Sequence, residues 1–381
     1  MNAPERVLKT INHEEPDKVP YFESAFTNNT IMRHYGINPR ALTKIPRIPS
    51  KMLKKFAGSK KILKIGMKKS YEFSRRVGID LVLGVSSLFP RKVLKDGLIL
   101  DEYGRLMRNE IYDKDGTVIY GYVGGAFKTF EDYESWEPLD PNWEGRLNGF
   151  LAGRELQKEM KNEIFSIPST AALMEVSWEG FSLEVFSRIM AKRAQAKKIF
   201  DDRGKFTLEL VKILAENDAQ MVLLWDDYGY KNGLFMSPKN YRDFVFPWLK
   251  HICEAAHKHD CKILLHSDGD LTQIFEDIIS CGVDALNPIE PTTANPEYDI
   301  FKLKKKYGAK ITFVGNVSPT MLAMGDISEI EEYSKKLIKE IAPGGGYIFS
   351  SGHSINPAVT LDRYLAYINI REKYGKYPIQ I

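Results

Sequence analysis

Of the seven histidines, two stand at the ends of apolar, strand-like runs. KILLH closes on His266, and YIFSS leads into Gly352-His353-Ser354. The other five, His13, His34, His251, His257 and His259, fall in polar surroundings. Acidic and amide side chains occupy the same kind of position. MVLLW runs into Asp226-Asp227-Tyr228, His266 is followed by Ser267-Asp268-Gly269-Asp270, ALNPI leads to Glu290, and ITFVG to Asn316. Imidazoles with carboxylates and no thiolate suit a divalent ion such as zinc, working as a Lewis acid on an oxygen. The same groups suit a proton shuttle or substrate hydrogen-bond donors equally well, and spacing alone leaves both open. Asp226 and Asp227 are adjacent on a strand end and cannot both point inward, so one of them is placed to cap the segment that follows. Glu290, between Ile289 and Pro291, must face the mouth or find a partner. Asp227 and Asn316 are the catalytic candidates. Trp225, Tyr228, Tyr230 and Phe235 could wall a flat substrate, although nearby aromatics serve equally as core.

These positions need a scaffold that gathers strand ends. The runs FSIPST, MVLLW, KILLH, ALNPI, ITFVG and YIFSS each precede a turn and usually a helical stretch such as YRDFVFPWLKHICEAAHKH or ISEIEEYSKKLIKEIA. The last five start roughly 25–40 residues apart, the repeat of βα units in a TIM (β/α)8 barrel, where reactive groups emerge at the C-terminal ends of strands. The prediction is one α/β barrel domain over residues 1–381. Gly344-Gly345-Gly346 precedes a strand and reads as a helix stop, not a phosphate cradle. At the N-terminus, Asn2 and Pro4 start a helix and a short strand begins near Val19. Residues 44–76 form a basic helical elaboration, with Lys44, Arg47, Lys51, Lys54 and eight further cations against the single acid Glu72. A solvated helical face is its favoured reading, with a docking surface for an acidic partner as the rival. Residues 97–125 read as a β-hairpin insertion turning at Asp113-Lys114-Asp115-Gly116.

Composition narrows the rest. A net charge of +4 is too mild for a nucleic-acid binder. No run approaches the about 18 apolar residues of a membrane span, and MNAPERVLKTINHEEPDKVP has no apolar signal-peptide core. Three cysteines without a CxxC pair exclude a disulfide framework and fit a reducing cytoplasm, the expected location.

Several segments carry a family likeness. RVLKTINHEEPDKVP, the DEYGR…DGT hairpin, LMEVSWEGF, DDYGYKNGLFMSP, HSDGD, VDALNPIEP, GNVSP and APGGGYIFSSGHSI resemble the uroporphyrinogen decarboxylase superfamily, in order and over nearly the whole chain. The resemblance implies a TIM barrel. The decarboxylases proper carry an arginine-containing RQAGR-like motif after the first strand, where this chain reads YFESAFTNNTIMRHYG. The cobalamin-dependent methyltransferase branch holds zinc with an HxC pair and a later Cys in a GCGI-like segment. Here His266-Ser267-Asp268 and Gly352-His353-Ser354-Ile355 stand in those places. The resemblance therefore makes His266, Asp268 and His353 the metal ligands, with Glu290 a further candidate. Two thiolates favour activation of an incoming thiol. A carboxylate and imidazole set leaves a harder, more electrophilic ion, suited to polarising an ether oxygen. The sequence is also similar to demethylating methyltransferases of methoxylated-aromatic metabolism. The function expected is zinc-dependent methyl transfer from a methoxylated aromatic to the cobalamin of a corrinoid protein, with a homodimer admitted. The alternatives are a corrinoid-dependent methyltransferase acting on a thiol or amine, and a uroporphyrinogen-decarboxylase-like lyase working without metal.

Overall fold

The apolar runs form strands buried along almost their full length, as parallel strands covered on both faces must be. In the computed structural model, which describes residues 1–39, 49–95, 97–112 and 114–381, the six runs and one further strand make one parallel sheet. From edge to edge its order is Tyr347–Ser351, Thr312–Val317, Ala285–Asn287, Lys262–His266, Met221–Trp225, Phe165–Ala171 and Leu81–Val85. Residues 21–22 join the two edges: Tyr21 bridges Phe349 and Phe22 bridges Leu81, both parallel. The result is a closed (β/α)8 barrel. The last five repeats lie where the sequence puts them. Leu81–Val85, with Gly84 inside it, is a strand that the apolar runs did not single out.

Inside the barrel, Phe22, Leu81, Phe165, Met221, Leu264 and Ile348 share a core with Ala3, Val7 and Ile11 of the helix Ala3–Ile11. That helix starts at Asn2, whose side chain accepts from the Glu5 N–H in a capping box. Its Ala3 N–H donates to the Asn162 carbonyl (3.0 Å), three residues before a strand begins, so it plugs the N-terminal end. The opposite end is left for the loops. A buried carboxylate clamps the plugged end: Asp80 takes Arg6 Nη1 (2.6 Å), Arg371 Nη2 (2.6 Å) and the Tyr21 N–H (2.8 Å). Removing one member of such a group leaves uncompensated charge in the interior. Asp80→Ala is expected to cost about 3–5 kcal/mol in urea denaturation; a loss under about 1 kcal/mol would show that the clamp is not holding the seam.

The insertion is larger than a hairpin. Pro90–Val93, Ile99–Asp101, Arg105–Tyr112 and Thr117–Gly125 form a four-stranded antiparallel sheet. It seats on the loop after Phe165–Ala171: Phe127 N–H donates to the Gly180 carbonyl (3.0 Å) and Tyr122 Oη to the Glu179 carbonyl (2.9 Å). A Cβ on Gly125 would lie 2.4 Å from the Gly180 carbonyl oxygen, so only glycine permits this approach. In the basic segment, Lys44 and Arg47 lie outside the described residues, as does Asp113 of the hairpin turn. The helices Ser50–Ala57 and Lys60–Val77 follow. Lys60 and Lys64 meet Glu155 (2.7 and 2.8 Å), Lys64 also meets Glu159 (2.7 Å), and Arg75 meets Glu163 (3.4 Å), so part of the basic face is neutralised within the chain. Among the described residues no helix is long and apolar enough to cross a membrane.

Candidate metal centre at the barrel mouth

Strand parity decides which polar groups meet. Leu264 and Leu223 face the barrel interior, so the residues two and four positions on, His266 and Asp268, Trp225 and Asp227, turn the same way. His266 aligns with Trp225 on one neighbouring strand and Asn287 on the other. The His266 Nε2 lies 3.9 Å from Asp227 Oδ1 and 3.9 Å from Asp268 Oδ1. One ligand atom from each of Asp227, His266 and Asp268 falls within 4.8 Å of the other two. These three residues could hold a metal ion. The Trp225 ring packs against the His266 imidazole, centroids 4.7 Å apart.

The tautomer of His266 is set by Asn287. Its Nδ2 donates to the Val314 carbonyl (3.0 Å), which turns Oδ1 to the His266 Nδ1 at 2.7 Å. Nδ1 is therefore the protonated nitrogen, and the Nε2 lone pair faces two carboxylates. Three lone-pair donors converging with His266 only 6 % exposed repel one another unless a proton or cation sits among them. Asp268 Oδ1 is buried without a hydrogen-bond partner among the described residues. Burial, with the Asp268 charge adding to it, pushes the Asp227 carboxyl up to about 8. Burial together with the Asp227 charge raises Glu175 well above the usual carboxylate range.

The remaining expected residues are distributed unevenly. His353 reaches the cluster from the exposed side, its Nε2 3.5 Å from Asp268 Oδ2. Its carbonyl accepts from Ser24 Oγ (2.8 Å) and Ser351 Oγ (2.9 Å), which fixes the loop. Glu290 has both oxygens engaged, Oε2 by the Gly269 N–H (2.8 Å) and Oε1 by Thr292 Oγ1 (2.6 Å), so it holds the turn that carries Asp268. Asn316 donates to the Ile289 carbonyl (2.8 Å) and accepts from Tyr333 Oη (2.9 Å), a link to the outer helix Ile327–Ile341 and not to the cluster. Asp226 faces away from the mouth, its Oδ1 taking the N–H groups of Leu173, Met174 and Glu175. Tyr228, of the same parity, is fully buried against Tyr241 and Phe246 behind the mouth.

Tyr230 and Phe235 do belong to an aromatic row. Tyr122, Trp178, Phe235 and Tyr230 follow one another at centroid spacings of 5.5, 5.6 and 5.6 Å, linking the insertion to the loop after Met221–Trp225. Asn287, Glu175, Trp178 and Tyr122 are the mouth residues that the strand-end reading missed. Parity in ALN could have flagged Asn287, two residues after the inward Ala285. The other three lie on two further elements, Glu175 and Trp178 on the helix Glu175–Glu179 and Tyr122 on the strand Thr117–Gly125, and carry no local signal.

Comparison with known proteins agrees with this architecture. A methyltransferase from Methanosarcina mazei superposes with a TM-score of 0.67, covering 98% of this chain and 99% of that one at 18% identity. Uroporphyrinogen decarboxylase of Colwellia psychrerythraea is 26% identical over 226 residues, 55% of this chain and 59% of that protein. The enzyme of Pseudoalteromonas translucida is 25% identical over 266 residues, 65% of this chain and 70% of that protein. The family model for uroporphyrinogen decarboxylase (URO-D) matches residues 122–374, from the insertion to the last helix. With barrel, strand-end cluster and that match together, the chain belongs to the uroporphyrinogen decarboxylase family.

Proposed function

We propose that this family member is a zinc-dependent methyltransferase, taking a methyl group from a methoxylated aromatic compound and passing it to the cob(I)alamin of a corrinoid protein. The observation that carries this reading is the donor set: one imidazole of fixed tautomer and two carboxylates facing one point, with all three cysteines buried as free thiols elsewhere. Asp227, His266 and Asp268 would hold the ion, and His353 is placed to join them through Asp268. An ion so held is hard and electrophilic, and it would lower the basicity of an aryl ether oxygen as the methyl group leaves. Asn287 keeps Nε2 free for ligation, and Asp227 must give up its proton to ligate. The aromatic row offers π-faces against which a flat arene can lie. The fold shared with the Methanosarcina mazei methyltransferase over both full lengths supports the reading.

The names of the sequence relatives favour a second reading, decarboxylation of a tetrapyrrole without metal. Its weakness lies after the first strand, where Arg33 points an exposed guanidinium nitrogen at the Asp115 carbonyl (2.8 Å) in place of an arginine-rich carboxylate grip. Metal analysis combined with transfer to free cob(I)alamin from a panel of methoxyarenes separates the two. Exhaustive chelation is expected to lower the transfer rate at least about 100-fold, and added zinc to restore it. Full activity in the chelated protein would overturn the zinc reading.

A further inference from the structure

Away from the metal centre, a cavity of about 320 Å³ opens between the long helix Arg193–Glu216 and the segment that leaves the insertion sheet. Tyr133, Trp136, Leu139, Arg203, Lys205 and Phe206 are among its walls, and it shares no lining residue with the metal centre. Its volume falls within the range of small-molecule pockets, about 300–1,000 Å³. One side chain in it is out of keeping with its surroundings. Arg203 is only 3 % exposed, yet its Nε and Nη2 are buried with no hydrogen-bond partner, and no carboxylate pairs with it among the described residues. Its guanidinium carbon lies 4.9 Å from the Tyr103 ring centre and 5.5 Å from that of Tyr133, so two aromatic rings orient it. Ring contacts return only part of what a buried, unpaired cation loses in hydration.

The acids along the cavity are mostly committed elsewhere. Glu137 pairs with Arg91 (2.8 Å) and Glu209 with Lys212 (2.6 Å). Asp202 accepts from Lys198 Nζ (2.9 Å) and Tyr133 Oη (3.0 Å). Lys205 is exposed on the same cavity, also without an ion-pair partner among the described residues. The guanidinium therefore lacks an anion that the chain itself does not provide. A planar fork with open N–H groups matches a carboxylate, and Trp136, Leu139 and Phe206 offer apolar walls for the rest of the molecule. Glu134 and the Asp202 carboxylate on the lining disfavour a dianion such as phosphate. We infer that this cavity is a second ligand site, which takes a small carboxylate with an apolar body and pairs it with Arg203.

The test is calorimetric binding to the metal-free, full-length protein of benzoate, of its neutral counterpart benzyl alcohol and of inorganic phosphate. Benzoate is expected to bind at least about tenfold more tightly than either. Arg203→Met should weaken benzoate at least about tenfold and benzyl alcohol less than about threefold. Without ligand, the variant should melt no lower than the unsubstituted protein, because an apolar side chain of similar length relieves an unpaired buried charge. Should Arg203→Met fail to fold, Arg203→Lys decides: it keeps the charge, loses the fork and should weaken benzoate at least about threefold. Benzoate affinity unchanged in the folded variant, with a lower melting temperature, would make Arg203 a packing strut and overturn the proposal. Benzoate binding lost in His266→Ala and kept in Arg203→Met would belong to the barrel mouth, and overturns it too. Tighter binding of phosphate or benzyl alcohol than of benzoate, or no binding of benzoate up to about 10 mM, has the same consequence.

Discussion

His266→Ala is expected to weaken zinc binding by about 10²–10³-fold, one ligand's share of the roughly 10–16 kcal/mol of a four-ligand zinc site. Methyl transfer should fall below about 1% of the unsubstituted rate. The prediction is graded, which makes it more demanding than a dead variant. Asn287→Ala removes no ligand but frees the Nδ1 proton that sets which imidazole nitrogen faces the acids. A loss of roughly 10–100-fold in zinc affinity is expected from such an outer partner. His353→Ala should cost least of the three, because its imidazole is 56 % exposed and touches the cluster through Asp268. Competition with a chromophoric chelator measures all three. Equal, small effects would mean that His266 is not at a metal centre.

The second large effect is on pH. The Asp227 carboxyl titrates near 3.8 when unperturbed and near 8 in the folded protein. An ion must displace that proton, so apparent zinc affinity should climb about tenfold per pH unit from pH 6 towards 8 and then level off. For the metal-free protein the sign is opposite. Between those two values the folded form retains a proton that the unfolded form has released, so the contribution of this carboxyl to stability is full below about pH 4 and declines until about pH 8. Asp227→Asn, which has nothing to titrate, should therefore melt about 2 °C higher than the unsubstituted metal-free protein at pH 8. The difference should vanish near pH 4, and zinc binding should be weakened throughout. A variant that melts lower at pH 8, or zinc affinity independent of pH, would place the strained carboxyl elsewhere.

What could be read from the sequence follows from how local each signal is. The later strands are continuous apolar runs with regular spacing, and such runs belong to strands covered on both faces. Leu81–Val85 is short and interrupted by Gly84, which weakens the same signal. His266 and Asp268 were legible because parity along one strand end decides their direction. The same rule separates Asp227 from Asp226, as the sequence analysis expects, and places Tyr228, expected on the substrate wall, behind the mouth. Asn316 was misleading for a different reason: its amide is bound by Ile289 and Tyr333, groups supplied by other elements. Glu290 sat where expected, but its oxygens hold a turn. Glu175 and Trp178 sit on the helix Glu175–Glu179 that follows Phe165–Ala171, and Tyr122 joins them only because the insertion docks there, a contact between distant segments that no local pattern encodes.

The two-residue bridge at Tyr21 and Phe22 also bears on biosynthesis. Its partners on one side come from Phe349, and the Asp80 clamp beneath it needs Arg371. A nascent chain emerging from the ribosome can lay down successive strands in order, but its cylinder stays unsealed until the helix Leu361–Tyr374 has been made. Until then both sheet borders present bare peptide groups to other molecules. Ring closure therefore waits on segments far downstream of the residues they seal, and chaperone dependence during translation should concentrate in that interval.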